Sequence, residues 1–147
     1  MRKWCCLAMT MLFGVAGCGD GIKRVPVEGE ILAVGQPVSN ASIQFLPAEG
    51  TPGQGAIGVS DKDGKFTVIS SRQSDAGIPP GKYKVIVSRF MDRDGTILPN
   101  DAKQADYPDA KESVPPPYCT PNSPLEVTIT EGGALKVEIP VKLKGKL

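Results

Sequence analysis

Two aspartate-rich pieces and four cysteines are the residues of this 147-residue chain whose types and spacing could do chemistry. Asp61 and Asp63 lie in DKDG, and Asp92 and Asp94 lie in DRDG. Carboxylates two apart, followed by glycine, open calcium-binding loops, because a hard cation gathers several oxygen ligands. A complete loop of that kind ends in a glutamate that clamps the ion. Neither DKDGKFTVISSR nor DRDGTILPNDAK supplies it. Asp and Gly are also ordinary turn formers, and turns are the expectation for both pieces. If calcium binds at all, Asp92, Asp94 and Asp101 are the candidate ligands, since the long segment round them can bring further oxygens. Histidine is absent from the chain. That removes the usual general base, the usual proton shuttle and the commonest metal ligand. Ser-His-Asp and Cys-His arrangements are excluded, and a typical zinc site nearly so. The expectation is a protein with no catalytic residues and no cofactor.

The cysteines are Cys5, Cys6, Cys18 and Cys119, and the first three lie in an unusual start. Arg2 and Lys3 are basic, residues 4–16 are apolar except Thr10, and polar residues follow Gly17 almost at once. A basic start, a short apolar core and small residues at a cut site make a secretory signal. The run is shorter than the roughly 20 residues a spanning helix needs. The tetrapeptide VAGC at 15–18 resembles the lipobox of bacterial lipoproteins. That resemblance implies a cut between Gly17 and Cys18, a diacylglycerol on the Cys18 sulfur and acylation of the new amino group. Two or more acyl chains hold a protein firmly to a membrane, where one holds it marginally. Cys5 and Cys6 leave with the signal, so Cys119 is expected to remain as a lone, packed thiol. The implied location is the bacterial cell envelope, anchored to the inner or outer membrane, with the domain outside the cytoplasm.

Removing 17 residues takes two of the 17 basic side chains and leaves 15 against 16 acidic ones. There is no basic excess to hold nucleic acid. Residues 18–24 read as a tether, and 25–147 as one domain with enough chain for a core.

Alternation dominates that domain. Val25, Val27, Ile31 and Ala33 are the apolar positions of the first run. Ala41, Ile43 and Phe45 follow, then Ile57 and Val59, Phe66 and Val68, and Tyr83, Val85 and Val87. Leu125, Val127 and Ile129 come next, and a last run takes in Leu135, Val137, Ile139, Val141 and Leu143. Period two marks strands with one buried face. Seven such runs, separated by turn residues such as Asp63-Gly64 and Gly132-Gly133, predict an all-β, antiparallel β-sandwich. Pro140 cannot donate to a ladder, so an edge or a bulge is expected there. Residues 90–124 break the rhythm. Loops this long are functional or disordered. The segment reads as a surface excursion, extended at Pro115, Pro116 and Pro117, or as a contact surface round Tyr107 and Tyr118.

The order of these pieces resembles carboxypeptidase regulatory-like domains. VEGEILAVGQPVSNASIQFLP carries that family's early strand, its G-x-P-V turn and its A-x-I-x-F strand. GVSDKDGKFTV resembles the next hairpin, and IPPGKYKVIVS the Pro-Gly-x-Tyr-x-Val strand. The likeness spans most of 25–143, and residues 91–113 have no counterpart in it. It implies a transthyretin-like sandwich of about seven strands with a structural, folding or binding role. Purine-pathway hydrolases of that fold use histidines and a Tyr-Arg-Gly-Ser motif, and cross-linking sandwiches carry Asn or Asp in the last strand. This chain has none of these. The expectation is therefore a non-enzymatic, lipid-anchored envelope sandwich that acts structurally or through an envelope protein partner. The alternative is a module binding calcium or a glycan through residues 90–124, where Phe90, Tyr107 and Tyr118 lie outside clear core positions.

Overall fold

The computed structural model describes residues 21–70, 77–131 and 134–146. Ten strands and a single 3-10 turn are found there: β1 Glu28–Ala33, β2 Gln36–Pro37, β3 Ser42–Pro47, β4 Ala56–Val59, β5 Lys65–Ser70, β6 Gly81–Ser88, β7 Phe90–Met91, η1 Gln104–Asp106, β8 Lys111–Glu112, β9 Glu126–Ile129 and β10 Leu135–Ile139. The protein is all-β, as the alternation requires.

The main sheet runs β10-β1-β5-β4-β3-β6-β9, with β2 on β1. Its pairs are antiparallel except one, because β1 and β10 run parallel from Gly29↔Leu135 to Ala33↔Ile139. This departs from a purely antiparallel sandwich. The sheet curls at β5, whose first half pairs with β1 and whose second half pairs with β4. Ile31, Val137 and Ile139 from one half then share a core with Ile43, Phe45, Val85 and Val87 from the other. The Phe45 ring lies 6.1 Å from Phe66 and meets Tyr83 edge-on at 6.5 Å.

The curl depends on missing side chains. A methyl group at Gly29 would lie 2.6 Å from Phe66 Cζ and 2.5 Å from the Leu135 carbonyl oxygen. One at Gly58 would lie 3.0 Å from Phe66 Cδ2. The ring thus fills the space that side chains on both neighbouring strands would need.

The same crowding reverses β4. The sequence pattern puts Ile57 and Val59 on its buried side. In the fold they are 39% and 48% exposed, while Ala56, Gly58 and Ser60 face inward. Beside Phe66 the inner face of β4 takes only small residues. Ser60 is buried because its hydroxyl donates to the Val38 carbonyl at 2.7 Å and accepts from the Ala41 amide at 2.9 Å.

The DKDG turn forms as expected between β4 and β5. Asp61 Oδ1 accepts from the Asp63 and Lys65 amides at 2.8 and 2.9 Å, and Gly64 takes φ +75°. The last apolar run ends early, since β10 stops at Ile139, before Pro140. Val141 and Leu143 still pack against the core. Gly132 and Gly133 lie outside the described residues.

Candidate functional site

The segment that interrupts the strand pattern folds back on the domain. β7 and β8 pair, with Phe90↔Glu112 and Met91↔Lys111, and close the base of an excursion. Ile97, Leu98 and Val114 are buried and anchor it. The Leu98 amide bonds to the Phe90 carbonyl at 2.9 Å, and Ile97 bonds to Lys146 at 3.1 Å. Pro115, Pro116 and Pro117, expected to be extended, instead turn through a cis Pro116–Pro117 peptide, with the Tyr118 amide donating to the Pro115 carbonyl at 3.2 Å. The chain then runs along the end of β6 that lies beyond its pairing with β9, where the Val87 amide bonds to the Tyr118 carbonyl at 3.0 Å. Tyr118 packs against the core, so it is not part of an open contact surface.

A polar cluster ties the excursion to the sheet. Glu112 accepts from the Ser88 hydroxyl at 2.6 Å, the Arg89 amide at 2.9 Å and the Val114 amide at 3.0 Å. Arg89, only 7% exposed, donates from Nε to Ser113 Oγ at 2.9 Å and from a terminal nitrogen to the Lys144 carbonyl at 2.7 Å. Burial pulls the Arg89 pKa below its usual value, and the Glu112 charge opposes that. One arginine thereby joins β6, the end of the excursion and the C-terminal segment.

Between the excursion and the outer face of β3 and β6 lies a cavity of about 290 Å³. Its floor includes Ser42 and Ser88, which are register partners across the two strands. Asn40 and Arg89 also contribute to its lining. Its far wall is residues 98–110, with Leu98, Asn100, Lys103, Gln104 and Tyr107 among the lining side chains. Successive turns set that wall. Ala102 bonds to Pro99, Asp106 to Lys103, and Ala110 to Tyr107.

The aspartates of the second D-x-D-G piece behave as turn residues. Asp94 accepts from the Thr96 amide and hydroxyl, both at 2.9 Å, and these bonds hold its pKa below the usual carboxylate value. Asp92 accepts from the Arg93 amide at 2.6 Å, and Asp101 is exposed. No three His, Cys, Asp or Glu side chains gather as a metal site among the described residues, so Asp92, Asp94 and Asp101 are not brought together. Cys119 is free and half-buried. Burial first, and then the Glu112 charge, push its thiol pKa up. Gly17 and Cys18 lie outside the described residues. Among those residues, no helix is long and apolar enough to cross a membrane.

Of the residues singled out from sequence, the structure brings Phe90 and Tyr107 to the cavity wall. Sequence reasoning missed Asn40, Ser42, Ser88, Arg89, Asn100, Lys103 and Gln104. They carry no motif, and Ser42 and Ser88 sit at the outward positions of their strands. The one local signal was Arg89 directly after an apolar strand. No family model, curated protein or solved structure matches this chain.

Proposed function

We propose that this protein is a non-enzymatic, lipid-anchored β-sandwich of the bacterial cell envelope, of carboxypeptidase regulatory-like, transthyretin-like type, and that it works by binding. The lipobox at VAGC supports the anchor on Cys18. Absence of histidine supports binding over catalysis. The observation that carries the binding role is the cavity between β3, β6 and residues 98–110. Its volume of about 290 Å³ lies just under the range of ligand pockets, about 300–1,000 Å³. A long insertion held by its own turns and buried anchors, enclosing a cavity of mixed polar and apolar lining, is a common arrangement for recognition.

The test is a melting comparison. Full-length protein is heated with and without a small-molecule extract of the cell envelope, beside Ser42→Phe, which fills the cavity floor. A rise in melting temperature for the unaltered protein alone supports the reading. Equal rises in both, or none in either, refute it.

A second reading, contact with an envelope protein, is favoured by the reversed face of β4. Ile57 and Ile69 are register partners on the outer face, and both are largely exposed, as is Val59. A partner would lay an apolar strand face across that row. Crosslinked capture lost in Ile57→Glu, with the urea midpoint unchanged, would support it.

A further inference from the structure

We propose that the outer face of β3, β4, β5 and β6 lies on the bilayer when the chain is anchored, against a lipid surface that carries anionic headgroups. This rests on the anchor reading above and gives the Ile57 row a lipid in place of a protein. The argument begins with register. Ile69, Ile57, Gln44 and Ile86 stand side by side across β5, β4, β3 and β6. Leu46 lies two residues beyond Gln44 on β3, and Val59 two beyond Ile57 on β4, so both share that outward face. Ile57, Ile69, Leu46 and Val59 are all exposed. A contiguous exposed apolar patch of this kind marks a protein or a membrane contact.

Charge chooses between the two. The four strands carry three charged side chains, Lys65, Lys82 and Lys84, at outward positions, and no acid. Lys84 is the register partner of Leu46, which places a cation at the border of the patch. Among the described residues the ion pairs are Lys23–Glu131, Lys62–Asp63, Arg93–Asp109 and Lys136–Glu138, so none of the three lysines is in one. Glu30 and Glu126 are register partners of Lys65 and Lys84 on the flanking strands β1 and β9, while Lys82 is opposite Thr128. An apolar centre bordered by lysines matches a membrane interface. There the apolar groups enter the headgroup boundary and the lysines meet lipid phosphates. A second copy laid face to face would set lysines against lysines.

The tether leads to the same place. Val25 bridges Ile78, and the Val68 amide bonds to the Val27 carbonyl at 2.9 Å. The entry to the domain therefore sits beside the second half of β5, next to Ile69. Residues 18–24 span at most about 25 Å when extended, which brings this face within reach of a lipid on Cys18. The acid-rich excursion is held away from it. At one end of β6, Gly81 pairs with Ile129, and Glu131 just beyond bonds Lys23 of the tether. At the other end Ser88 leads into residues 90–112, which hold six acids against Arg93, Lys103 and Lys111. The eight residues of β6 set these ends roughly 25 Å apart. An anionic surface attracts the lysine face and repels the excursion, so both act in one direction.

Fluorescence quenching in vesicles tests this. The sole tryptophan, Trp4, leaves with the signal, so Ile57→Trp or Ile69→Trp gives the mature chain one reporter on the face. Glu138→Trp, at an exposed position of β10 on the other half of the curled sheet, is the control. Membrane-extracted protein is placed in vesicles with brominated acyl chains, with or without phosphatidylglycerol. The expectation is that both face reporters are quenched in phosphatidylglycerol vesicles and the control is not. Lys82→Gln with Lys84→Gln should roughly halve that quenching. Equal quenching of face and control, indifference to phosphatidylglycerol and to the lysines, or no quenching would each overturn the proposal. No quenching together with crosslinked capture lost in Ile57→Glu would give the row to a protein. Intact mass separates this proposal from the anchor reading. Acyl mass on a chain that starts at Cys18, with no quenching, leaves the anchor standing and removes the lipid face. Without acyl mass the anchor reading falls, and vesicles added from outside decide the face alone. Quenching by them supports it, and its absence overturns it.

Discussion

Glu112 accepts the backbone amide of Arg89 at 2.9 Å, yet the Arg89 side chain turns away to Ser113 and to the Lys144 carbonyl. The carboxylate is therefore a clamp on the chain path and not the partner of the cation. It holds three donors that would otherwise be left without an acceptor where the excursion joins β6. Glu112→Ala should cost about 1–3 kcal/mol, because stranded donors carry their desolvation penalty. Urea unfolding measures it, and a midpoint within error of the unaltered protein would show that the clamp is dispensable.

Phe66 and its two glycine neighbours make a second prediction. Gly29→Ala places a methyl against the ring and the Leu135 carbonyl. Overpacking of that kind costs about 1–3 kcal/mol. Phe66→Leu in the same chain should recover part of the loss, since it opens space beside β1. Additive losses in the double variant would mean that the backbone contact alone sets the cost.

The reversed face of β4 predicts an inequality. Ile57→Thr should change stability by no more than about 0.5 kcal/mol, as exposed substitutions do. Ser60→Ala should cost about 1 kcal/mol or more, since it strands the Ala41 amide and the Val38 carbonyl. Equilibrium unfolding of both variants decides it. The opposite ranking would return Ile57 to the core.

Val34 sits at φ +49° in the two-residue turn between β1 and β2, followed by Gly35 at +73°. A β-branched residue is strained in that region, whereas Asn tolerates it and suits the first position of such a turn. Val34 is exposed, so no core contact is lost. Val34→Asn should stabilise the protein by roughly 1 kcal/mol. A lower melting temperature in this variant would contradict the turn geometry.

Tyr83 supplies the pH dependence. Burial pushes its pKa up to about 12, with a smaller opposing effect from Arg24. The unfolded phenol loses its proton near pH 10. Between about pH 10 and about 12 the unfolded state therefore binds fewer protons, and stability falls as pH rises. The contribution is complete below pH 10 and is lost through the folded pKa. Tyr83→Phe should flatten this part of the stability curve. At neutral pH it should cost about 1 kcal/mol for the bond from the hydroxyl to the Pro79 carbonyl.

Much of the fold was legible because period-two alternation is a local property. Ile31, Ile43, Phe45, Val68, Val85 and Ile139 were read as inward from their neighbours alone, and all are buried. The Asp61 turn was legible for the same reason, since its hydrogen bonds reach only two and four residues along the chain. Alternation says that a strand has two faces without saying which one the core wants. For β4 that choice was made by the Phe66 ring, from another strand, so Ile57 and Val59 were misread. The parallel direction of β10 against β1 was hidden likewise, because strand pairing is a long-range event. The cavity was the least legible part. Ser42 and Ser88 lie 46 residues apart in sequence and meet only through the β3–β6 register. Lys103 and Gln104 line the same cavity because Leu98 and Val114 are buried and Glu112 ties the base of the excursion to β6. By itself the sequence determined the seven alternating runs and the Asp61 turn, which short-range sterics and hydrogen bonding dictate. Tertiary structure decided which face of β4 is buried, how the sheet curls and what the excursion encloses, because each depends on volume and charge contributed from distant parts of the chain.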